Sequence, residues 1–114
     1  MSKLDRNSLP SVYYAVIFSY EAGSDLSGYS EMDEETLDLA QTMPGFLGYE
    51  SKSNHEGTVF ISYWKDKASI DNWSKNTRHQ VAKKGGKSGW YDWYHSQICK
   101  VERSHYFEFE KKKS

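Results

Sequence analysis

The segment "VYYAVIFSY" (12–20) limits the folds open to this chain more than any other stretch. It is β-branched or aromatic almost throughout, which reads as a strand, and neither face is polar. Val12, Tyr14, Val16 and Phe18 line one face, and Tyr13, Ala15 and Ile17 the other. A strand in an antiparallel sheet with one wet face alternates apolar with polar side chains. This strand needs cover on both sides, and 114 residues supply few elements to provide it.

The remaining elements follow by periodicity. Residues 1–11 are polar, end near Pro10 and read as an N-terminal arm. From Tyr29 the apolar residues recur at helical spacing through Met32, Thr36, Leu39, Ala40 and Met43, until Pro44 and Gly45 stop the helix. Its acidic residues mostly fill the opposite face, as expected of a solvated surface. "FLGYESKS" (46–53) and "TVFISYW" (58–64) flank "NHEG" and form a hairpin. "DKASIDNWSKN" (66–76) is the second helix, capped by Asp66. Thr77 followed by Gln80 has the form of a capping box, which predicts a break and a short helix from Arg78 to about Lys84. "WYDWY" (90–94) is expected as an aromatic connector and "SQICKVERSHYF" (96–107) as the last strand. Residues 108–114 form a charged tail.

The order β-α-β-β-α-β is the ferredoxin-like α+β arrangement, a four-stranded antiparallel sheet with both helices on one face. The other face, still apolar on the first strand and the hairpin, is expected to meet a second copy of the chain.

Composition removes several function classes. The net charge of −1 gives no general attraction to nucleic acid or to an anionic membrane. No apolar run approaches the length of a membrane span, and "MSKLDRNSLP" lacks a signal-peptide core. A single cysteine, Cys99, rules out an intrachain disulfide, so a cytoplasmic protein is expected. No histidine or carboxylate spacing suggests a metal site. "KKGGKS" lacks the first glycine of a phosphate loop and follows a helix rather than a strand. The strands lack the aromatic signature of RNA-binding modules of this topology.

Aromatic residues, by contrast, make up 16% of the chain, which suits a pocket for a flat apolar molecule. Trp73 on the second helix can form a wall of such a pocket. If the chain breaks at Thr77, His79 turns back toward it near a helix N-terminus, where the imidazole tends to stay neutral and can accept a phenol proton. Arg78 could hold the resulting anion. Asn72 is a weaker member of the set, since its side chain diverges from that of Trp73 by about 100°. Tyr63, Trp64 and Trp90 are candidates for pocket shape, and one or two other rings of "WYDWY" for its mouth.

Four stretches, "PGFLGYES" (44–51), "ISYWKDKASIDNW" (61–73), "RHQ" (78–80) and "WYDWYHSQICKVER" (90–103), carry a resemblance to a known family. Across residues 12–107 the chain resembles the antibiotic biosynthesis monooxygenase (ABM) domain proteins of the dimeric α+β barrel superfamily. The resemblance implies a homodimer with a pocket between the sheet and helices of each protomer. Some members oxidise polycyclic phenols to quinones with dioxygen and no metal or flavin, others degrade haem, and others isomerise or only bind. Trp73 matches the tryptophan of the haem-degrading members. Their iron-ligating histidine falls where this chain has Lys83, and their first-strand asparagine is missing from "AVIFSY". The expected function is therefore a cofactor-independent monooxygenase acting on a small phenol or quinol. The alternative is a non-catalytic dimer that binds a small aromatic or apolar molecule.

Overall fold

The computed structural model describes residues 4–23, 29–83 and 91–110, without the side chains of 29–33, 35 and 78–83. The described elements are β1 (Tyr13–Ala22), α1 (Tyr29–Thr42), β2 (Phe46–Asn54), β3 (Gly57–Trp64), α2 (Lys67–Lys83) and β4 (Tyr91–Val101). The strands form one sheet in the order β2-β3-β1-β4, every neighbouring pair antiparallel. This is the ferredoxin-like topology that the element order implies.

Register fixes which side chains share a face. Tyr14, Val16 and Phe18 of β1 lie opposite Trp64, Ser62 and Phe60 of β3. Those residues face the helices, because Val16 and Trp64 join Ala40 of α1 and Ile70 of α2 in the buried core. Tyr14, Met43, Phe46 and Trp73 pack around that cluster. Ile70 is 1% exposed, so its truncation to alanine costs about 2–5 kcal/mol. α1 packs chiefly on α2 and β2, and α2 on α1 and β3.

The joints between elements have local causes. Asp66 Oδ1 accepts bonds from the Ser69 amide at 2.8 Å and the Ser69 hydroxyl at 2.6 Å, which caps α2. Those two bonds hold the Asp66 carboxyl below its ordinary pKa. Between α1 and β2, Gly45 adopts φ 88°, and its carbonyl accepts the Lys65 amide at 2.8 Å. An L side chain strains at that φ, and one placed here would also run into Ser69.

Two sequence expectations are corrected. α2 runs unbroken through Thr77, so the separate short helix from Arg78 does not form. "SKNTRHQ" holds no glycine or proline, and nothing local interrupts the i→i−4 ladder there. The last strand spans 91–101 instead of 96–107. Tyr94 and Trp93 already pair with Tyr20 and Glu21 of β1, so most of the aromatic connector is strand. At the other end the ladder stops at Tyr13↔Val101, where β1 begins, and residues 102–107 pair with no strand among the described residues.

The helix-free face carries Ala15, Ile17, Ile61, Val59, Cys99 and Trp93, by the same register. The N-terminal arm reaches it at β2 and β3. Leu4 donates its amide to the Tyr49 carbonyl at 3.3 Å and lies against Gly48. Arg6 Nη2 donates to both carboxylate oxygens of Glu50 at 3.1 Å, and Tyr63 Oη donates to Glu50 Oε2 at 2.6 Å.

Candidate functional site

Two tryptophans pack ring against ring, tilted, where α2 meets the sheet. The Trp64 and Trp73 ring centroids are 5.3 Å apart, with planes 33° from parallel. Their indole N–H groups have different fates. Trp64 is fully buried and donates to Ser62 Oγ at 2.9 Å. Trp73 Nε1 is also buried, yet has no hydrogen-bond partner among the described residues. Neither has Thr77 Oγ1, one helical turn further along α2. Residues four apart on a helix share a face, so both polar atoms are held on the inward side of α2. A buried polar atom without a partner costs about 1–3 kcal/mol.

A band of rings lies on the same side of the sheet. From Tyr14, opposite Trp64, β1 continues through Val16 to Phe18 and Tyr20. Phe18 is about 13 Å along the strand from Tyr14. The Phe18 ring lies 5.3 Å from Tyr20, 5.6 Å from Tyr91 and 5.6 Å from Tyr94. Tyr20 and Tyr91 meet edge to face at 5.1 Å. Tyr94 and Ile98 are 63% and 51% exposed, so this half of the helix-side face remains open among the described residues. Tilted and edge-on ring contacts of this kind present both faces and edges to a flat guest.

The residues nominated from sequence are dispersed. Trp73 lies at the inner site. Asn72 is exposed; its Nδ2 points to Met43 Sδ at 3.6 Å, and its carbonyl accepts Asn76 Nδ2 at 2.8 Å. It ties α2 to Met43, just after α1, instead of entering the space beside Trp73. Position 79 lies on the unbroken helix about 240° around from Trp73. The side chains of His79 and Arg78 fall outside the described residues, as does Trp90 entirely. Trp64 is part of the core beneath Trp73.

Tyr63 sits on the opposite face of the sheet, in the Glu50–Arg6 network. Its hydroxyl pKa is pushed up to about 12, first by burial and then by the Glu50 carboxylate it donates to. Glu50 is held below the usual carboxylate range, mainly by the Tyr63 hydrogen bond and then by Arg6, against the effect of its burial.

The sequence offers the rings of "WYDWY", Tyr91 and Tyr94 among them, for the pocket mouth, but does not single out Thr77, Phe18 or Tyr20. For Phe18 and Tyr20 a signal existed, since their alternation puts them on the face of Val16. Thr77 was concealed by its resemblance to a cap. Among the described residues, no three His, Cys, Asp or Glu side chains are grouped to hold a metal ion, and no helix is long and apolar enough to cross a membrane.

The fold and this site define a small α+β domain with a ring-lined, partly open helix-side face. Residues 30–85 match the family described as Antibiotic biosynthesis monooxygenase. The chain is 41% identical over 97 residues to the uncharacterized protein YqjZ of Bacillus subtilis (strain 168), covering 84% of this chain and 85% of that one. Among solved structures it is similar to a mutant form of SnoaB, a cofactor-independent oxygenase from Streptomyces nogalater, with TM-score 0.62, 9% identity, and 83% and 97% of the two chains covered. PA3566 from Pseudomonas aeruginosa gives TM-score 0.60 at 15% identity, covering 82% of this chain and 96% of that one. At those identities the structures speak for the fold. The chain belongs to the antibiotic biosynthesis monooxygenase family.

Proposed function

We propose that this protein is a monooxygenase-like member of its family that takes a small phenol or quinol between α2 and the sheet. The observation that carries the reading is the pair of buried polar atoms Trp73 Nε1 and Thr77 Oγ1, on the inner face of α2, which have no partner among the described residues. A ligand oxygen meeting them would supply hydrogen bonds that the described residues do not. Phe18, Tyr20, Tyr91 and Tyr94 would hold the flat remainder of the molecule. The reaction would convert a phenol and dioxygen to a quinone and water, the ring C–H and the phenolic O–H supplying the two hydrogens of the water. Electron-rich phenolate is the species that reduces oxygen, so a base is needed to remove the phenolic proton.

His79 is the residue nominated as that base, with Arg78 as the holder of the anion and Asn72 as a weaker member. On a continuous α2, position 79 lies about 240° around from Trp73, which makes the second reading specific. In that reading the protein binds the aromatic molecule without turning it over. Both readings have it acting as a homodimer in the cytoplasm, with helix-free sheet faces meeting; the two-sided apolar β1 and the lone Cys99 support this. The departures at Lys83 and in "AVIFSY" favour a phenol or quinol over haem.

The test is oxygen uptake with a panel of quinols and polycyclic phenols, alongside tryptophan-fluorescence titration. Oxygen consumption that His79→Ala abolishes while binding persists supports the enzyme. Binding that Trp73→Phe weakens, with no oxygen consumed, supports the binder. If no ligand of this class perturbs Trp73, both readings fail.

A further inference from the structure

The N-terminal arm and the residues that follow β4 form the walls of a cleft, apart from the rings beside α2. One wall is built by local bonds. Asp5 closes a turn by accepting the Asn7 amide at 3.1 Å and the Ser8 hydroxyl at 2.6 Å. Leu4, on the Tyr49 carbonyl, and Arg6, on the Glu50 carboxylate, fasten that turn to β2. The other wall begins where the ladder stops at Tyr13↔Val101 and the chain leaves the sheet. There Tyr106 Oη donates to Glu108 Oε2 at 2.9 Å, which orients the Tyr106 ring. The cleft encloses about 450 Å³, and its lining includes Arg6, Leu9, Pro10, Glu102, Arg103 and Tyr106. That is room for a small organic molecule.

The charges in this cleft define what it can hold. Arg6 is committed to Glu50. Glu102 and Arg103 are not: among the described residues neither has a hydrogen-bond or ion-pair partner, and they do not pair with each other. A guanidinium only donates and a carboxylate only accepts, so each needs the opposite kind of group from a ligand. A simple anion would satisfy Arg103 and be repelled by Glu102, and a simple cation would meet the reverse. A molecule carrying a carboxylate and an ammonium group close together satisfies both. Consecutive Cα atoms are about 3.8 Å apart, and the two charged groups of an α-amino acid are separated by a similarly short span. Leu9, Pro10 and the Tyr106 ring add apolar surface for a side chain.

We propose that this cleft is a second ligand site, for a free α-amino acid with an apolar side chain. Arg103 takes the carboxylate, Glu102 takes the ammonium group, and Leu9, Pro10 and Tyr106 take the side chain. The wall already fixed by Asp5 and Arg6 lowers the ordering cost of binding. Both charges are exposed to solvent, so the dissociation constant is of the order of 1 mM.

Titration of the full chain with L-leucine, followed by amide chemical shifts in nuclear magnetic resonance, tests it. Leucine has no ring, so it does not report on the aromatic site beside α2. Shifts should move at residues 6–11 and 102–106 and saturate in the millimolar range. Arg103→Gln and Glu102→Gln should each raise the dissociation constant by roughly fivefold to tenfold while leaving the far-ultraviolet dichroism unchanged. N-acetyl-L-leucine, which lacks the ammonium group, and L-leucine amide, which lacks the carboxylate, should bind the wild type more weakly by a similar factor. No shifts in these two segments at about 20 mM leucine would overturn the site. Acetylated leucine binding as well as leucine would overturn the amino acid as its ligand and leave a site for anions alone. Binding untouched by both glutamine variants would overturn the roles of Arg103 and Glu102.

Discussion

Trp64 and Trp73 pack at 5.3 Å, but among the described residues only Trp64 has a partner for its indole N–H, the Ser62 hydroxyl at 2.9 Å. Two side chains of one type in one contact therefore do different work. One closes the core, and the other keeps an unpaired donor, among the described residues, beside Thr77.

That difference gives two substitutions of opposite sign. Ser62→Ala strands the Trp64 N–H in the core and should lower stability by about 1–3 kcal/mol. Thr77→Val removes a buried hydroxyl that has no partner among the described residues and should raise stability by about 1 kcal/mol. Urea denaturation of both variants reads this directly. A Thr77→Val protein that is destabilised would mean that the hydroxyl is satisfied after all.

Ligand binding should reverse the benefit of Thr77→Val. With a phenol bound, loss of the Thr77 hydroxyl or of the Trp73 donor in Trp73→Phe should each weaken affinity about fivefold to tenfold, the worth of one hydrogen bond. Isothermal titration calorimetry with the best-binding phenol checks it. Equal affinities for wild type and both variants would remove these atoms from the site.

The Tyr63–Glu50 contact predicts stability losses at both ends of the pH range. Tyr63 titrates near 12 in the folded chain, above the value of about 10 it has unfolded, so the native state holds its proton more tightly. Its contribution is fully present below pH 10 and is lost as pH rises through 12. Glu50 is lowered, so its contribution is present above the ordinary glutamate range and is lost as pH falls through its folded value. Thermal melts from pH 3 to 12 should show both declines, and Tyr63→Phe should flatten the alkaline one. Identical alkaline limbs in the two proteins would count against the contact.

Gly45→Ala should destabilise the domain by about 1–2 kcal/mol, because φ 88° is costly for any L residue and the new methyl would displace Ser69. The loss should also disturb the start of α2, since Ser69 is the partner of the Asp66 cap. Amide exchange at residues 67–70 would register this. Unchanged exchange there, with the full loss of stability, would assign the cost to the backbone alone.

Sequence alone determined the order of the elements and the strand character of residues 12–20. Periods of two and of about 3.6 residues are local properties, and Pro44-Gly45 and Asp66 punctuate them locally. It also singled out Trp73, as a large ring on the apolar stripe of α2. Whether α2 continues past Thr77 was not legible. A threonine followed by a glutamine three residues later fits a helix start and a helix interior equally well, and the choice depends on what the chain before it is doing. The bounds of β4 depended on where β1 begins, because a strand lasts only as long as its neighbour. Tyr63 and Trp64 are adjacent in sequence, yet one joins the Arg6 network and the other the core, since successive strand residues face opposite ways. Only the tertiary structure decided which of two buried indoles found a hydroxyl, because hydrogen-bond partners are set by the packing of α2 on the sheet.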